Sequence, residues 1–378
     1  MAMELAFWVS LFAVGYAYMG YPLLLMLLGK LVRCPVVRGD ASYTPRITVL
    51  VPAYNEAAVI GKKLDNLLSL DYPSDALQII VVSDGSTDGT NALLEDAARD
   101  ARLTAVLLPE RRGKANALNQ GLSRATGEIV VFSDSSIMLD ARALREIVRP
   151  FADPEVGCVS GEDHIPEGGG EGLYGRYELF LRNRESAIGS IVGASGSFYA
   201  QRRELCEPFV DGLAPDFLSV LNTVEAGFRA ITEPAAFGYM AAVKHPGDEF
   251  RRKVRTLLRG MTTLWVKRSL LNPLRFGLFA WVLFSHKAMR WLVPLFLLAV
   301  FITNLALVGH PFYAVIFLLQ LLFYGLAVLA WQQVSNVQDR IYGKVPLYFS
   351  AANLAVAWAW GKFFMGTRQE LWEPSRRV

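Results

Sequence analysis

Residues 5–29 (LAFWVSLFAVGYAYMGYPLLLMLLG) carry no charged side chain, and a helix needs about 20 apolar residues to cross a bilayer core. Lys30, Arg33 and Arg38 follow at once. A cleavable leader has its basic residues before the apolar run and a small-residue site after it. Here the order is reversed, so residues 1–34 read as a retained anchor. The positive-inside bias then sets the N-terminus outside and the chain from residue 30 onward in the cytoplasm. Apolar runs return near the C-terminus. Residues 291–308 and 311–331 each suit a span, joined by Gly309 and His310, and Lys287 and Arg290 mark the start of the first as cytoplasmic. Residues 345–366 are a weaker candidate. If they cross, Arg368, Arg376 and Arg377 finish outside, against the charge bias; if they are re-entrant or interfacial, the tail stays inside.

Hydrophobic residues make up 53% of the chain and charged ones 19%, with a mean hydropathy of +0.29. That balance excludes a disordered or fibrous chain. The net charge of +3 makes no case for nucleic acid. Cys34, Cys158 and Cys206 form no CxxC pair, and His164, His245, His286 and His310 form no HExxH. Thioredoxin-like and zinc-hydrolase chemistries are thereby excluded.

Residues 43–248 read as a soluble α/β domain. Apolar runs at 47–56, 78–84, 104–110 and 127–136 alternate with helical stretches ending near Leu70, starting at Asp88, and covering Gly113–Ser123. Continuous apolar strands between helices predict a mostly parallel sheet with helices on both faces. Ligands of such sheets bind beyond the carboxyl ends of the strands. Polar residues cluster there: Tyr54, Asn55 and Glu56; Asp84; Asp134 and Ser136. Carboxylates at those ends suit base and ribose hydroxyls, or a divalent ion on a diphosphate. Ser86 and Thr87 read as helix caps. Arg111, Arg112 and Lys114 sit at a helix start, which suits phosphate, or form a solvated basic loop. No GxxxxGK[ST] loop is present.

VPAYNE, VVSDGSTDGT, RRGKANALN and FSDSS, followed by GASGSFYAQRREL, PDF and EAGFRAITEPAA, occur in this order between about residues 45 and 260. Together they resemble the family 2 glycosyltransferases of GT-A fold, in the membrane-bound, polysaccharide-synthase-like branch. The resemblance implies inverting transfer of a sugar from a nucleotide donor, usually a UDP-sugar, with Mg²⁺ or Mn²⁺. It implies a growing polysaccharide or lipid-linked glycan as acceptor, the lipid bilayer and further polysaccharide-export subunits as partners, and a cytoplasmic catalytic domain at a bacterial inner membrane. Tyr54 and Glu56 match residues at the base and ribose, Asp84 the aspartate that reads uracil, and Lys114 a lysine near the nucleotide. Asp134 matches the first acid of the metal motif, with Ser136 where the second acid would stand. Gly193, Ser195 and Gly196 match the acceptor side; read without the family, they make a tight turn.

Asp216 matches the family's general base, although Pro215 replaces the neighbouring acid. Asp216 equally suits the cap of a helix over 217–227. Glu162 and Asp163 form a rival acid pair on the acceptor side. Residues 249–286 read as an amphipathic interfacial segment: Arg252, Arg255 and Arg259 share one face, with Val254, Leu257, Leu258, Met261 and Trp265 on another. Those arginines suit anionic headgroups; by the resemblance, Arg252 and Arg255 instead reach the donor diphosphate. The sequence RKVRT departs from the family's QxxRW and puts processive synthesis in doubt. Residues 287–378 hold the C-terminal spans and tail. Two other readings stand beside this one: a polyprenyl-phosphate glycosyltransferase, a group that generally lacks an N-terminal anchor, and a catalytically inactive membrane scaffold or transporter component.

Overall fold

The computed structural model describes residues 1–164, 170–240, 246–334, 336–338 and 340–367. Arg368, Arg376 and Arg377 of the tail lie outside these. The chain enters through two helices, α1 (Ala2–Gly15) and α2 (Tyr21–Leu31), fused by a π-turn at Tyr16–Gly20. The α/β part follows, with β1 (Ile47–Ala53), α3 (Ala57–Leu68), β2 (Leu77–Asp84), α4 (Thr90–Ala97), β3 (Leu103–Leu108), α5 (Lys114–Leu122) and β4 (Ile129–Ser133). Next come β5 (Ile137–Leu139), α6 (Ala143–Val148), β6 (Val156–His164), α7 (Gly170–Ile188), β7 (Phe198–Arg202), α8 (Pro215–Glu225) and β8 (Arg229–Met240).

One eight-stranded sheet runs in the order β3-β2-β1-β4-β7-β6-β8-β5. The four expected strands form its first half, all parallel. The second half is mixed: β7 is antiparallel to β4 and β6, and β5 to β8, while β6 and β8 are parallel. The expected parallel half is thus present, and four of the sheet's seven pairings are parallel, with the antiparallel ones confined to the second half and its junction with β4. Every residue of β1 is buried, because it lies between β2 and β4 with helices on both faces. Side chains alternate across a strand. Accordingly Val49, Val51, Ile79 and Val81 pack with Ile60, Leu64 and Leu67 of α3 on one face. Leu50, Ile80 and Val82 pack with Ala117 and Leu118 of α5 on the other.

The remaining helices are α9 (Pro246–Val266), α10 (Pro273–Leu283), α11 (Met289–Ala306), α12 (Pro311–Trp331) and α13 (Ile341–Phe364). Among the described residues, three helical stretches are long and apolar enough to cross a membrane: Ala2–Leu31, Pro273–Ala306 and Pro311–Trp331, with mean hydropathies of 1.7, 1.8 and 2.3. The span expected at residue 291 thus lies inside a longer helix beginning at Pro273, kinked at Gly277 (φ 51°, ψ −125°) and carrying a π-turn at Phe284–Ala288. Apolar α10 residues continue that helix, so an interfacial segment reaching 286 is too long. The apolar face of α9 does not lie free against lipid. Val254, Leu258, Met261 and Leu264 are buried, most of them beside Phe217 and Leu221 of α8, whereas Trp265 is exposed.

A third apolar cluster joins the α/β domain to the membrane helices through Leu181, Phe217, Met261, Trp291 and Val356. Polar contacts reinforce this junction. The Tyr21 hydroxyl donates to Glu185 at 2.5 Å, and His286 lies 2.5 Å from Glu185 and 3.0 Å from Glu178. Arg290 is ion-paired with Glu178.

Candidate active site

The carboxyl ends of β1 and β2 are shaped by loops that bond to each other. Gly85 has φ +66°, and a Cβ there would meet the Arg111 backbone nitrogen at 2.5 Å. Only glycine lets the chain pass so close. This closeness brings the 111–113 loop under β2, where buried Asp84 accepts from the N–H groups of Arg112 (2.9 Å) and Gly113 (2.7 Å). Asp84 therefore builds the loop. A carboxylate has about four lone-pair sites, so capacity for a ligand remains. The Arg111 guanidinium stacks over the Tyr54 ring at 3.9 Å.

Ser86 and Thr87 do not cap α4. The Asn55 N–H donates to Ser86 at 3.1 Å, and Thr87 N–H donates to the Asn55 side chain at 2.8 Å, which holds Asn55 at φ 51°. Asp88 does the capping, accepting from Thr90 N–H at 3.0 Å and from Ala57 N–H of α3 at 3.1 Å. One side chain thus fixes two helix starts, and α4 begins at Thr90 rather than Asp88.

Asp134 follows β4, and its Oδ1 accepts from Lys114 at 2.6 Å. Lys114 is the first residue of α5. Ser136 is half-buried two residues on. Glu56 stands against the same turn. Burial raises its pKa, Asp134 and Asp88 add to the rise, and a hydrogen bond from Ser135 opposes it. Among the described residues no group of three or more His, Cys, Asp or Glu side chains is arranged to hold a metal. The residues present nevertheless fit Mg²⁺ or Mn²⁺ bound largely through substrate. Such ions keep several waters and share diphosphate oxygens, and Asp134 supplies one carboxylate, with Ser136 alongside.

Lys63 is a feature the sequence reading missed. It lies on α3 with no exposed surface, and its ammonium donates to Ser133 Oγ at 2.8 Å and to the Ile137 carbonyl at 2.6 Å. It ties the last residue of β4 to the first of β5, clamping Asp134-Ser135-Ser136 from beneath. Burial lowers its pKa to about 7, opposed by the charge of Asp134. Lys63→Met takes a charged donor from the Ser133 hydroxyl, which keeps only its long bond to the Asp134 carbonyl, and from the Ile137 carbonyl, a loss of about 1–3 kcal/mol. We expect a chain that folds with a lowered Tm and binds Mn²⁺, titrated in the presence of donor, several-fold more weakly. An unchanged titration would show that the clamp does not govern the turn.

Asp216 occupies the first turn of α8. The cap position belongs to Ala214, which makes no side-chain cap bond, so Asp216 is not the capping residue. The loop before it is pinned to α9, where Thr263 accepts from Ala214 N–H at 2.9 Å. Burial pushes the Asp216 pKa above the ordinary aspartate range. Lys114 and Lys287 oppose that shift and Asp134 adds to it. Asp216 lines two cavities. One is a narrow cleft shared with Lys114, Asp134 and Gly196. The other, about 370 Å³, opens toward the membrane helices.

The turn 193–198 forms the floor between them. Ser195 organises it, donating to Asp163 at 2.6 Å and accepting from the N–H groups of Ser197 and Phe198 at 3.1 Å each. A Cβ at Gly196 would lie 3.8 Å from the Asp216 carboxyl carbon, and one at Gly193 3.6 Å from Lys287 Nζ. Gly193, Ser195, Gly196 and Asp163 all line the larger cavity. Glu162 points away, accepting from Asn183 at 3.2 Å, so the rival acid pair is split by strand alternation. Half-buried Arg252 and Arg255 line neither cavity; Lys253, Thr256 and Gly260 of the same helix line the larger one. Burial, followed by the charge of Arg255, lowers the pKa of Arg259, while Asp211 and Asp216 oppose the shift. The arginine face of α9 is therefore turned toward the 211–216 loop.

A cleft at the strand ends, a carboxylate–ammonium pair at the motif turn and a second acid at the cleft's far wall are joined by a family match over residues 48–208, to Glycosyl transferase family 2. These residues form a glycosyl transferase family 2 domain. The chain is similar to the mannosyltransferase PcManGT from Pyrobaculum calidifontis, solved with GDP-Man and Mn²⁺, at 29% identity and a TM-score of 0.73, covering 96% of this chain and 100% of that one. Poly-beta-1,6-N-acetyl-D-glucosamine synthase from Staphylococcus epidermidis is 31% identical over 59% of this chain and 56% of its own. The Staphylococcus aureus synthase is 28% identical over 55% of this chain and 53% of its own. The chain thus spans about half the length of these curated relatives. The family 2 domain ends between β7 and α8, so Asp216, Arg255 and the membrane-side cavity lie beyond the matched residues.

Proposed function

We propose that the chain is a glycosyltransferase that moves a sugar, with inversion, from a nucleotide donor to a glycan acceptor presented at the membrane. The observation that carries this reading is that one carboxylate, Asp216, forms part of the wall of both cavities. The donor lies in the cleft with Lys114 and Asp134, its base toward Tyr54 and Asp84 and its ribose near Glu56. The acceptor enters from the membrane side, past Asp163 and the Gly193–Gly196 turn. The acceptor oxygen attacks the anomeric carbon from the face opposite the diphosphate. Asp216 takes the hydroxyl proton as the new bond forms and the bond to the diphosphate breaks. Lys114 meets the charge developing on the leaving group, and we take Arg255, which lines neither cavity, to join it once the donor is bound. A divalent ion held by Asp134, with Ser136 beside it, would supply further charge neutralisation there.

The names of the staphylococcal relatives support polymer synthesis, and the glycan is taken as a polysaccharide or lipid-linked chain. We take the donor to be a UDP-sugar. Binding of UDP- and GDP-sugars to the purified protein tests that choice, with tighter GDP-sugar binding overturning it. Arg255→Ala is expected to weaken donor binding about tenfold or more, the scale of a lost charged hydrogen bond, and Arg255→Lys to restore only part, because an ammonium lacks the fork. If Arg255 touches lipid alone, donor affinity will not move.

We also read α13 as lying along the cytoplasmic interface. Phe349 meets Phe323 of α12 and Tyr18, while Trp360 donates to the Trp291 carbonyl and Phe363 meets Trp265 of α9. Tyr18 lies midway along the first stretch, Phe323 in the half of α12 nearer Trp331, and Trp265 on α9, which precedes the second stretch. The N-terminus is then outside, three helices cross, and the tail stays in the cytoplasm of a bacterial inner membrane. Cysteine accessibility at the two chain ends tests this, and an externally labelled C-terminus would overturn it.

A further inference from the structure

The larger cavity has a chemistry that an acceptor hydroxyl alone does not explain. Its membrane-side wall is apolar, made by Leu257, Trp291 and Val356. At the boundary between that wall and the catalytic end stands Lys287. The nearby acids are engaged elsewhere: Glu178 with Arg290 and His286, and Asp163 with Ser195. Among the described residues Lys287 has no hydrogen bond or ion pair; its ammonium stands 5.8 Å from the centre of the Phe217 ring and against the bare backbone of Gly193. Holding an ammonium in a mostly apolar recess is costly unless an anion joins it. Asp216 is the nearest candidate across the turn, but that carboxylate has a proton to collect.

We propose that this cavity seats an acceptor whose glycan is joined through a phosphate to a membrane lipid. The phosphate rests against Lys287 at Gly193, the lipid chain runs along Leu257, Trp291 and Val356, and the reacting hydroxyl reaches Asp216 at Gly196. This rests on the function proposed above and narrows its acceptor class. Lys287 and Asp216 stand at the two ends of a four-residue turn. Three residue steps span at most about 10 Å, so the gap holds about one or two sugar rings. The enzyme would therefore act close to the lipid, early in the growth of a chain. A neutral polymer would leave Lys287 only the field of Glu178 and Glu185, both already bonded to other groups, and that of Asp216.

Binding measurements test this without knowledge of the sugar. Full-length protein in phosphatidylcholine nanodiscs is titrated with radiolabelled geranylgeranyl diphosphate and, separately, geranylgeraniol. The diphosphate should bind at least about tenfold more tightly in the wild type, the scale of one charged hydrogen bond. Lys287→Met should abolish that preference, and Lys287→Arg should keep most of it, while UDP-sugar affinity stays at the wild-type value in both. Equal affinity for the two lipids in the wild type would overturn the proposal, and so would an unchanged preference in a folded Lys287→Met. If Lys287→Met fails to fold, the wild-type comparison decides alone. Displacement of the diphosphate lipid by millimolar inorganic phosphate would also overturn it, since a plain anion site would then suffice. Loss of UDP- and GDP-sugar binding by the wild type would instead sink the proposed function and not this inference alone.

Discussion

Asp216→Asn should leave donor binding and folding intact and lower sugar transfer by about 10²-fold or more, the usual contribution of a positioned base. The expectation is sharp because the position has no capping duty. Ala214 holds the cap site, and Pro215 opens the helix with an imide that needs no acceptor. Asparagine keeps the size of the side chain against Gly196 and removes only its ability to take a proton. A pH profile adds a second reading. The base works only when ionised, and burial sets its pKa above the ordinary aspartate range. Activity must therefore fall as pH drops through that raised value, giving an acidic limb above the 3.8 of an unperturbed aspartate. The limb should vanish from the residual activity of Asp216→Asn. Near-normal transfer by this variant would move the base to Asp163, the member of the rival pair that lines the same cavity.

Asp134→Ala is the second change expected to be near-complete in effect. It removes the carboxylate of the metal motif and takes from Lys114 the partner that holds its ammonium at 2.6 Å. Losing a preorganised charge at a developing diphosphate costs about 10²–10³ in turnover. Calorimetry should show donor affinity rising with Mn²⁺ in the wild type and flat with Mn²⁺ in the variant. Chelator should silence the wild type. Full activity in chelator, or wild-type-like turnover in Asp134→Ala, would remove the metal from this site. Glu56, pressed against the same turn through Ser135, is the group that would then need a new account.

The nucleotide half of the fold was legible because its strands are continuous apolar runs closed by glycine and aspartate, and because each motif sits at a strand end. The second half was less so. β5 is three residues long and finds its partner, β8, about a hundred residues away, a pairing that no local pattern announces. Lys63 was passed over although its signal is present. It falls on the stripe Ile60, Leu64 and Leu67, three residues after one apolar position and four before another, whereas Lys62 beside it is exposed. Lysine in a helix is read by default as solvated, and only the phase of the stripe says otherwise. Lys287 and Arg290 were read as markers of membrane orientation. The kink and π-turn before them bring the same helix face to the domain's acids, and spacing alone cannot reveal what a helix will meet.

Under the proposed function, with Asp216 the meeting wall of two openings, the two substrates are counted in different units. The donor comes from water, and its effect on rate follows molar concentration. An acceptor entering between Trp291 and Val356 is dissolved in the bilayer, and its effect follows its mole fraction among the lipids. Doubling the membrane while holding the acceptor constant would then halve its effective level and leave the donor's saturation curve where it was. Spent nucleotide can leave into water without crossing the path of the next acceptor, so the order in which the two substrates arrive need not be fixed by the architecture.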